Sequence, residues 1–146
     1  MLKVGDLAPA FSLLDQDGEC KSLSDYIGSI TLIYFYPKDD TPGCTKEACS
    51  IRDAWADYKK AGVQVVGISS DAPESHKVFQ EKYKLPFTLL SDRDRSTIAE
   101  YGAKGIGTKR ISYLIGPDGC VLKAYPKVDP ALHADEILAD VKKFSK

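Results

Sequence analysis

Residues 30–36, Ile30-Thr31-Leu32-Ile33-Tyr34-Phe35-Tyr36, form an unbroken run of β-branched, leucine and aromatic side chains closed by Pro37. Alternation of apolar and polar residues marks a strand with one wet face, whereas a continuous run of this length is how a strand covered on both faces reads. Such a strand needs helices above and below it. The stretch therefore predicts an α/β domain built on a central sheet.

The flanking sequence agrees. On the C-terminal side, beyond a polar loop, Ala48, Ile51, Trp55 and Tyr58 fall at offsets of 3, 7 and 10, an apolar stripe at helical spacing that stops near Gly62. Residues 63–69 read as a second buried strand, and Asp71 with Pro73 signals a helix carrying Val78, Phe79 and Tyr83. A strand at 87–90, a short helix at 96–101 and a hairpin of 111–115 with 121–125 follow, the hairpin turning at Pro117-Asp118-Gly119. For the last helix, Asp129 suits the N-cap and Pro130 the first helical position, with Ala134, Ile137, Leu138, Val141 and Phe144 along one face. On the N-terminal side, residues 11–14 and 20–23 flank Asp17-Gly18 and predict a hairpin accessory to the main sheet. Parallel neighbours need crossover helices, so this order implies a mixed sheet flanked by helices. It resembles the thioredoxin fold, extended by an N-terminal β-hairpin.

A length of 146 residues with 43% hydrophobic content suits one domain, 1–146. Charged residues make up 28% yet nearly cancel to −1, which gives no electrostatic footprint for nucleic acid or acidic lipid. The opening residues lack a basic start followed by an apolar stretch, and the apolar run at 30–36 is far too short to span a bilayer. A soluble cytoplasmic protein is the expectation. Four cysteines, Cys20, Cys44, Cys49 and Cys120, then read as thiols, redox groups or ligands rather than a disulfide framework.

Cys44 lies four residues before Ala48, at the start of the predicted helix. There a sulfur meets unpaired backbone N–H groups and the positive end of the helix dipole, which favour a thiolate and hence a nucleophile. In Pro42-Gly43, proline fixes the turn and glycine permits close approach of the main chain. Thr41 can turn its hydroxyl toward the sulfur or a bound oxygen. Asp39 and Asp40 would oppose a thiolate if they pointed inward, so both are expected in solvent.

The segment Tyr36-Pro37-Lys38-Asp39-Asp40-Thr41-Pro42-Gly43-Cys44-Thr45-Lys46-Glu47-Ala48-Cys49 resembles the active-site segment of peroxiredoxins, with their Pro-x3-Thr-x2-Cys pattern. The Asp-x-Thr-Pro-Gly-Cys-Thr setting, with a second cysteine five residues on, is similar to the bacterioferritin-comigratory-protein or peroxiredoxin Q branch. Likeness runs from Val4-Gly5-Asp6-x2-Pro9-x-Phe11, through Gly67-Ile68-Ser69, to Arg110-Ile111-Ser112.

The resemblance implies an atypical 2-Cys, thioredoxin-dependent peroxidase. Cys44 would attack hydrogen peroxide or an organic hydroperoxide and become a sulfenic acid. Pro37 would close one side of the pocket. Thr41 would bond the attacked peroxide, and the backbone N–H groups near Gly43 would stabilise charge as the O–O bond breaks. A guanidinium favours a thiolate and holds peroxide oxygens. Of Arg52, Arg93, Arg95 and Arg110, position and resemblance both favour Arg110, Arg93 and Arg95 read as solvated, and Arg52 is left open. Cys49 would resolve the sulfenic acid as a disulfide for a thioredoxin-like dithiol to reduce. On a regular helix those two sulfurs point apart, so the bond requires unwinding of 45–51. No cofactor and no metal are expected, and a monomer is expected by resemblance. His76 and His133 read as exposed, and Cys20 and Cys120 as packing residues or free thiols, with a mutual disulfide left open.

A general disulfide oxidoreductase would show Cys-x2-Cys, and a copper carrier of this fold Cys-x3-Cys; the spacing here is Cys-x4-Cys.

Overall fold

The apolar run at 30–36 lies inside a seven-stranded sheet in the computed structural model, which describes residues 1–144. The strands are β1 (Ser12–Asp15), β2 (Cys20–Ser22), β3 (Ile30–Phe35), β4 (Val63–Ser69), β5 (Thr88–Ser91), β6 (Ile111–Ile115) and β7 (Val121–Tyr125). Their order is β2-β1-β5-β4-β3-β6-β7. β3 runs parallel to β4 and antiparallel to β6, and β4 runs parallel to β5, so the sheet is mixed. Leu32, Tyr34 and Tyr36 enter one apolar layer while Ile33 and Phe35 enter the other, which is why the run carries no charged residue.

The first layer is closed by α1 (Pro42–Asp53), α2 (Trp55–Ala61) and α5 (His133–Phe144), together with Phe79 of α3 (Pro73–Tyr83). The second is closed by α4 (Ser96–Glu100), a 3-10 turn at Leu23–Asp25 and the N-terminal segment through Ala8 and Phe11. Both faces of the central strands β3 and β4 are therefore dry, as the sequence predicts.

Several expectations are corrected. The helix predicted from 44 to 61 is two helices, because Ala54 leaves helical geometry at φ −95°, ψ 8° and caps α2. The N-terminal hairpin is present as expected, and it extends the sheet edge, since β1 pairs with β5 through Leu14–Ser91 and Asp15–Leu90. The last helix begins at His133 rather than Pro130: the Asp129 carboxylate accepts the Ala131 N–H at 2.9 Å and closes a turn first. Neither histidine is exposed. His76 is sealed between Asp39 and the Leu90 carbonyl, and His133 between Ser112 and Glu136. Cys20 in β2 and Cys120 just before β7 belong to opposite edges of the sheet, and both are free thiols, so they do not pair.

Gly67 in β4 shows how tightly the first layer fits. A Cβ there would stand 2.7 Å from Tyr34 Cζ and 3.0 Å from Leu89 Cδ2. Gly67→Ala should therefore cost about 1–3 kcal/mol as overpacking. The expected reading is a lower urea midpoint with an unchanged slope, and an unchanged midpoint would show that the Tyr34 ring gives way freely.

Candidate active site

Thr41 is the N-cap of α1, with extended backbone at φ −96°, ψ 156°, and its carbonyl accepts the Thr45 N–H at 2.8 Å. Pro42, Gly43 and Cys44 are the first three helical residues, so Cys44 sits in the first turn as expected. Pro42 has no N–H to leave unpaired, and the first-turn amides of Gly43 and Cys44 have no intrahelical acceptor.

Arg110, immediately before β6, reaches across to this turn. Its Nη2 donates to Cys44 Sγ at 3.3 Å and its Nη1 donates to Glu47 Oε1 at 2.8 Å. A Cβ on Gly43 would meet Arg110 Nη2 at 2.9 Å and Pro130 Cγ at 3.9 Å. Glycine at 43 therefore opens the way for a side chain, the guanidinium, as well as for the main chain. Half-burial works against the Arg110 charge, and the Cys44 sulfur and the Glu47 carboxylate outweigh it, so its pKa is raised.

Glu47 is the residue that sequence reading missed. It is buried, Oε1 is held by Arg110, and Oε2 has no hydrogen-bond partner. Burial pushes its carboxyl up to about 7, with the guanidinium acting against that shift. Its signal is available in retrospect: position 47 lies one helical turn after Cys44, on the same face.

The Thr41 hydroxyl faces neither an amide nor the sulfur but donates to the Lys38 carbonyl at 2.8 Å. Its lone pairs remain for accepting. Pro37 is exposed in the loop between β3 and α1. Asp40 is exposed as expected, but its backbone is left-handed at φ 56°, and its carboxylate takes Tyr83 and Lys82 as partners, each at 2.7 Å. Asp39 contradicts its expectation: it is 8% exposed and pointed at α3, because Ser75 and His76 of that helix, with Tyr36 just past the end of β3, all bond its carboxylate.

Cys49 is a free, half-buried thiol on α1, and burial raises its pKa. The helix is unbroken from Cys44 to Cys49, so the two thiols are not brought together. Arg52 turns away, donating to the Tyr83 carbonyl at 2.8 Å and pairing with Asp53, while Arg93 is exposed. Asp39, Asp71 and His76 form the one cluster of metal-ligand type among the described residues, but each of their facing atoms is engaged in a hydrogen bond. No helix of the described residues is long and apolar enough to cross a membrane.

A family model, AhpC/TSA family, matches residues 4–124. Peroxiredoxin Bcp of Escherichia coli strain K12 is 47% identical over 146 residues, covering 94% of each chain. The crystal structure of peroxidoxin BcpB from Mycobacterium tuberculosis superposes with a TM-score of 0.92 at 32% identity, over 98% of both chains. The bacterioferritin comigratory protein of Xanthomonas campestris, whose alkyl peroxide reduction activity has been studied in trapped-intermediate complexes, gives 0.88 at 34% identity over 93% of this chain and 92% of that one.

The raised Glu47 carboxyl has a consequence for stability. A buried group that holds its proton more tightly folded than unfolded adds stability that is complete below about pH 4.5 and is lost as pH rises through about 7. Between pH 5 and pH 8 the wild type should lose about 2 kcal/mol more than Glu47→Gln, measured by urea unfolding at each pH. Parallel pH profiles for the two proteins would refute this assignment.

Proposed function

Because this chain belongs to the AhpC/TSA family, we propose that it is a single-domain, thiol-dependent peroxidase whose reacting sulfur is Cys44 and whose resolving thiol is Cys49. The observation that carries the reading is the Arg110 guanidinium donating to Cys44 Sγ at the first turn of α1. A cation and the helix N-terminus converge on one sulfur, which is the setting a nucleophilic thiolate requires.

In the first step the Cys44 thiolate attacks one peroxide oxygen along the O–O axis. The S–O bond forms as the O–O bond breaks, the electron pair leaves on the departing oxygen, and that oxygen takes a proton to become water or an alcohol. Thr41 accepts the peroxide O–H, since its own proton is committed to the Lys38 carbonyl. Arg110 and the Gly43 and Cys44 amides meet the charge that develops on the oxygens. Gly43 leaves the space in which they meet, and Pro37 shields one side of the pocket from water.

In the second step the Cys49 sulfur displaces hydroxide from the Cys44 sulfenic acid, giving a Cys44–Cys49 disulfide and water. The helix must open between 45 and 51 for this to occur. A thioredoxin-like dithiol then reduces the disulfide and is itself oxidised, which returns both thiols. Hydrogen peroxide and organic hydroperoxides are the proposed substrates, in line with the alkyl peroxide reduction studied in the Xanthomonas campestris relative. A cytoplasmic monomer that uses no cofactor completes the proposal.

Trapping with a dimedone-type reagent after peroxide addition tests it. Mass spectrometry should place the adduct on Cys44, accumulating in Cys49→Ser and vanishing in Cys44→Ser. Peroxide consumption that survives Cys44→Ser unchanged would overturn the assignment.

A further inference from the structure

We infer that Asp39 is a positioning residue for the peroxide step, locking the loop before α1 to α3 so that the Thr41 hydroxyl is presented to peroxide as an acceptor. The inference rests on the proposed role of Cys44 and goes beyond it, since the bonds of Asp39 go to Tyr36, Asp71, Ser75 and His76 rather than to Cys44 or Thr41.

Both ends of Asp39 are pinned. Its carboxylate accepts the Tyr36 hydroxyl at 2.6 Å on one oxygen, and on the other accepts the Ser75 hydroxyl at 2.8 Å and faces His76 Nδ1 at 2.7 Å. Its backbone N–H donates to Asp71 at 2.9 Å, and Asp71 is in turn held by the Ser69 hydroxyl at 2.7 Å. His76 is fully buried and its Nε2 lies 2.9 Å from the Leu90 carbonyl, which only accepts, so Nε2 carries a hydrogen. One further proton must then lie between Nδ1 and the carboxylate. A buried carboxylate with this many converging partners is not a solvated loop residue.

Asp40 completes the attachment through the other end of α3, where Lys82 and Tyr83 hold its carboxylate and sustain its left-handed backbone. Between these anchors the carbonyl of Lys38 is fixed, and that carbonyl receives the Thr41 hydroxyl proton at 2.8 Å. The chain of contacts thus runs from α3 to Asp39, through Lys38, to the one hydroxyl at the N-cap of α1. If Asp39 releases the loop, Thr41 is free to donate elsewhere and its lone pairs lose their direction.

The test compares two electrophiles on Cys44. Peroxide needs an oriented Thr41, whereas iodoacetamide needs only an accessible thiolate. The second-order rate with peroxide can be followed by the fluorescence of Trp55, the only tryptophan. Asp39→Ala should slow the peroxide reaction by about tenfold or more while alkylation of Cys44 stays within about threefold of wild type. Asp39→Asn should restore the peroxide rate to within about threefold, because its amide can donate to Ser75 and to a neutral His76 while its oxygen accepts from Tyr36. Should Asp39→Ala not fold, His76→Leu against His76→Asn carries the same comparison, with only the asparagine able to donate to Asp39. Equal losses with both electrophiles, an unaffected peroxide rate, or no rescue by the amide variants would overturn the inference. Failure of the underlying reading is seen separately, as a wild-type Cys44 that peroxide leaves unoxidised.

Discussion

An α-helix turns residues five apart by about 140° and sets them about 7.5 Å apart along its axis. Cys44 and Cys49 are such a pair, on one unbroken helix from Pro42 to Asp53. A disulfide asks for Cα atoms within about 7 Å and converging Cβ vectors, so the helix whose first turn holds the proposed nucleophile also keeps it from the other thiol. This conflict organises the region around it. The N-terminal side is anchored through Asp39 and Asp40 to α3, and the C-terminal side through Arg52 to the Tyr83 carbonyl of that same helix. The break at Ala54 separates α1 from α2, so the opening proposed for 45–51 leaves α2 and the bond of Tyr58 to the Ala134 carbonyl outside it.

The Arg110 site illustrates a trade between stability and chemistry. A buried carboxylate with an orphaned oxygen is costly by itself, and a buried ion pair seldom repays its desolvation. Glu47 nevertheless fixes one nitrogen of the guanidinium fork, which leaves the other aimed at Cys44 Sγ. Fixed geometry of this kind lets donors act on a developing charge without reorganising at the moment of reaction. Gly43 belongs to the same arrangement, because any side chain there would occupy the place of the guanidinium.

The sheet was legible because its central strands β3 and β4 are near-continuous apolar runs, and the hairpin of β6 and β7 was read to the residue. The split at Ala54 was not, since alanine is the best helix former and nothing in the local pattern marks a stop there. The meeting of Cys44 with Arg110 was legible, because a cysteine after Thr-Pro-Gly and an arginine just before a strand both mark themselves by residue type and position. The site was illegible where a polar residue is buried by partners distant in sequence. Asp39 and His76 are separated by 37 positions, and only folding brings the imidazole against the carboxylate. Composition rules send aspartate to the surface and leave histidine intermediate, so their burial had no local signature. Glu47 was hidden for the same reason, its partner Arg110 lying 63 residues away.

Hydrogen exchange across α1 before and after one equivalent of peroxide tests the central conflict most directly. Amides at 45–51 should be protected in the reduced protein and lose protection as peptide mapping shows the Cys44–Cys49 disulfide forming, while α2 and α5 remain protected. A protein with that disulfide formed and α1 still protected from end to end would contradict the account.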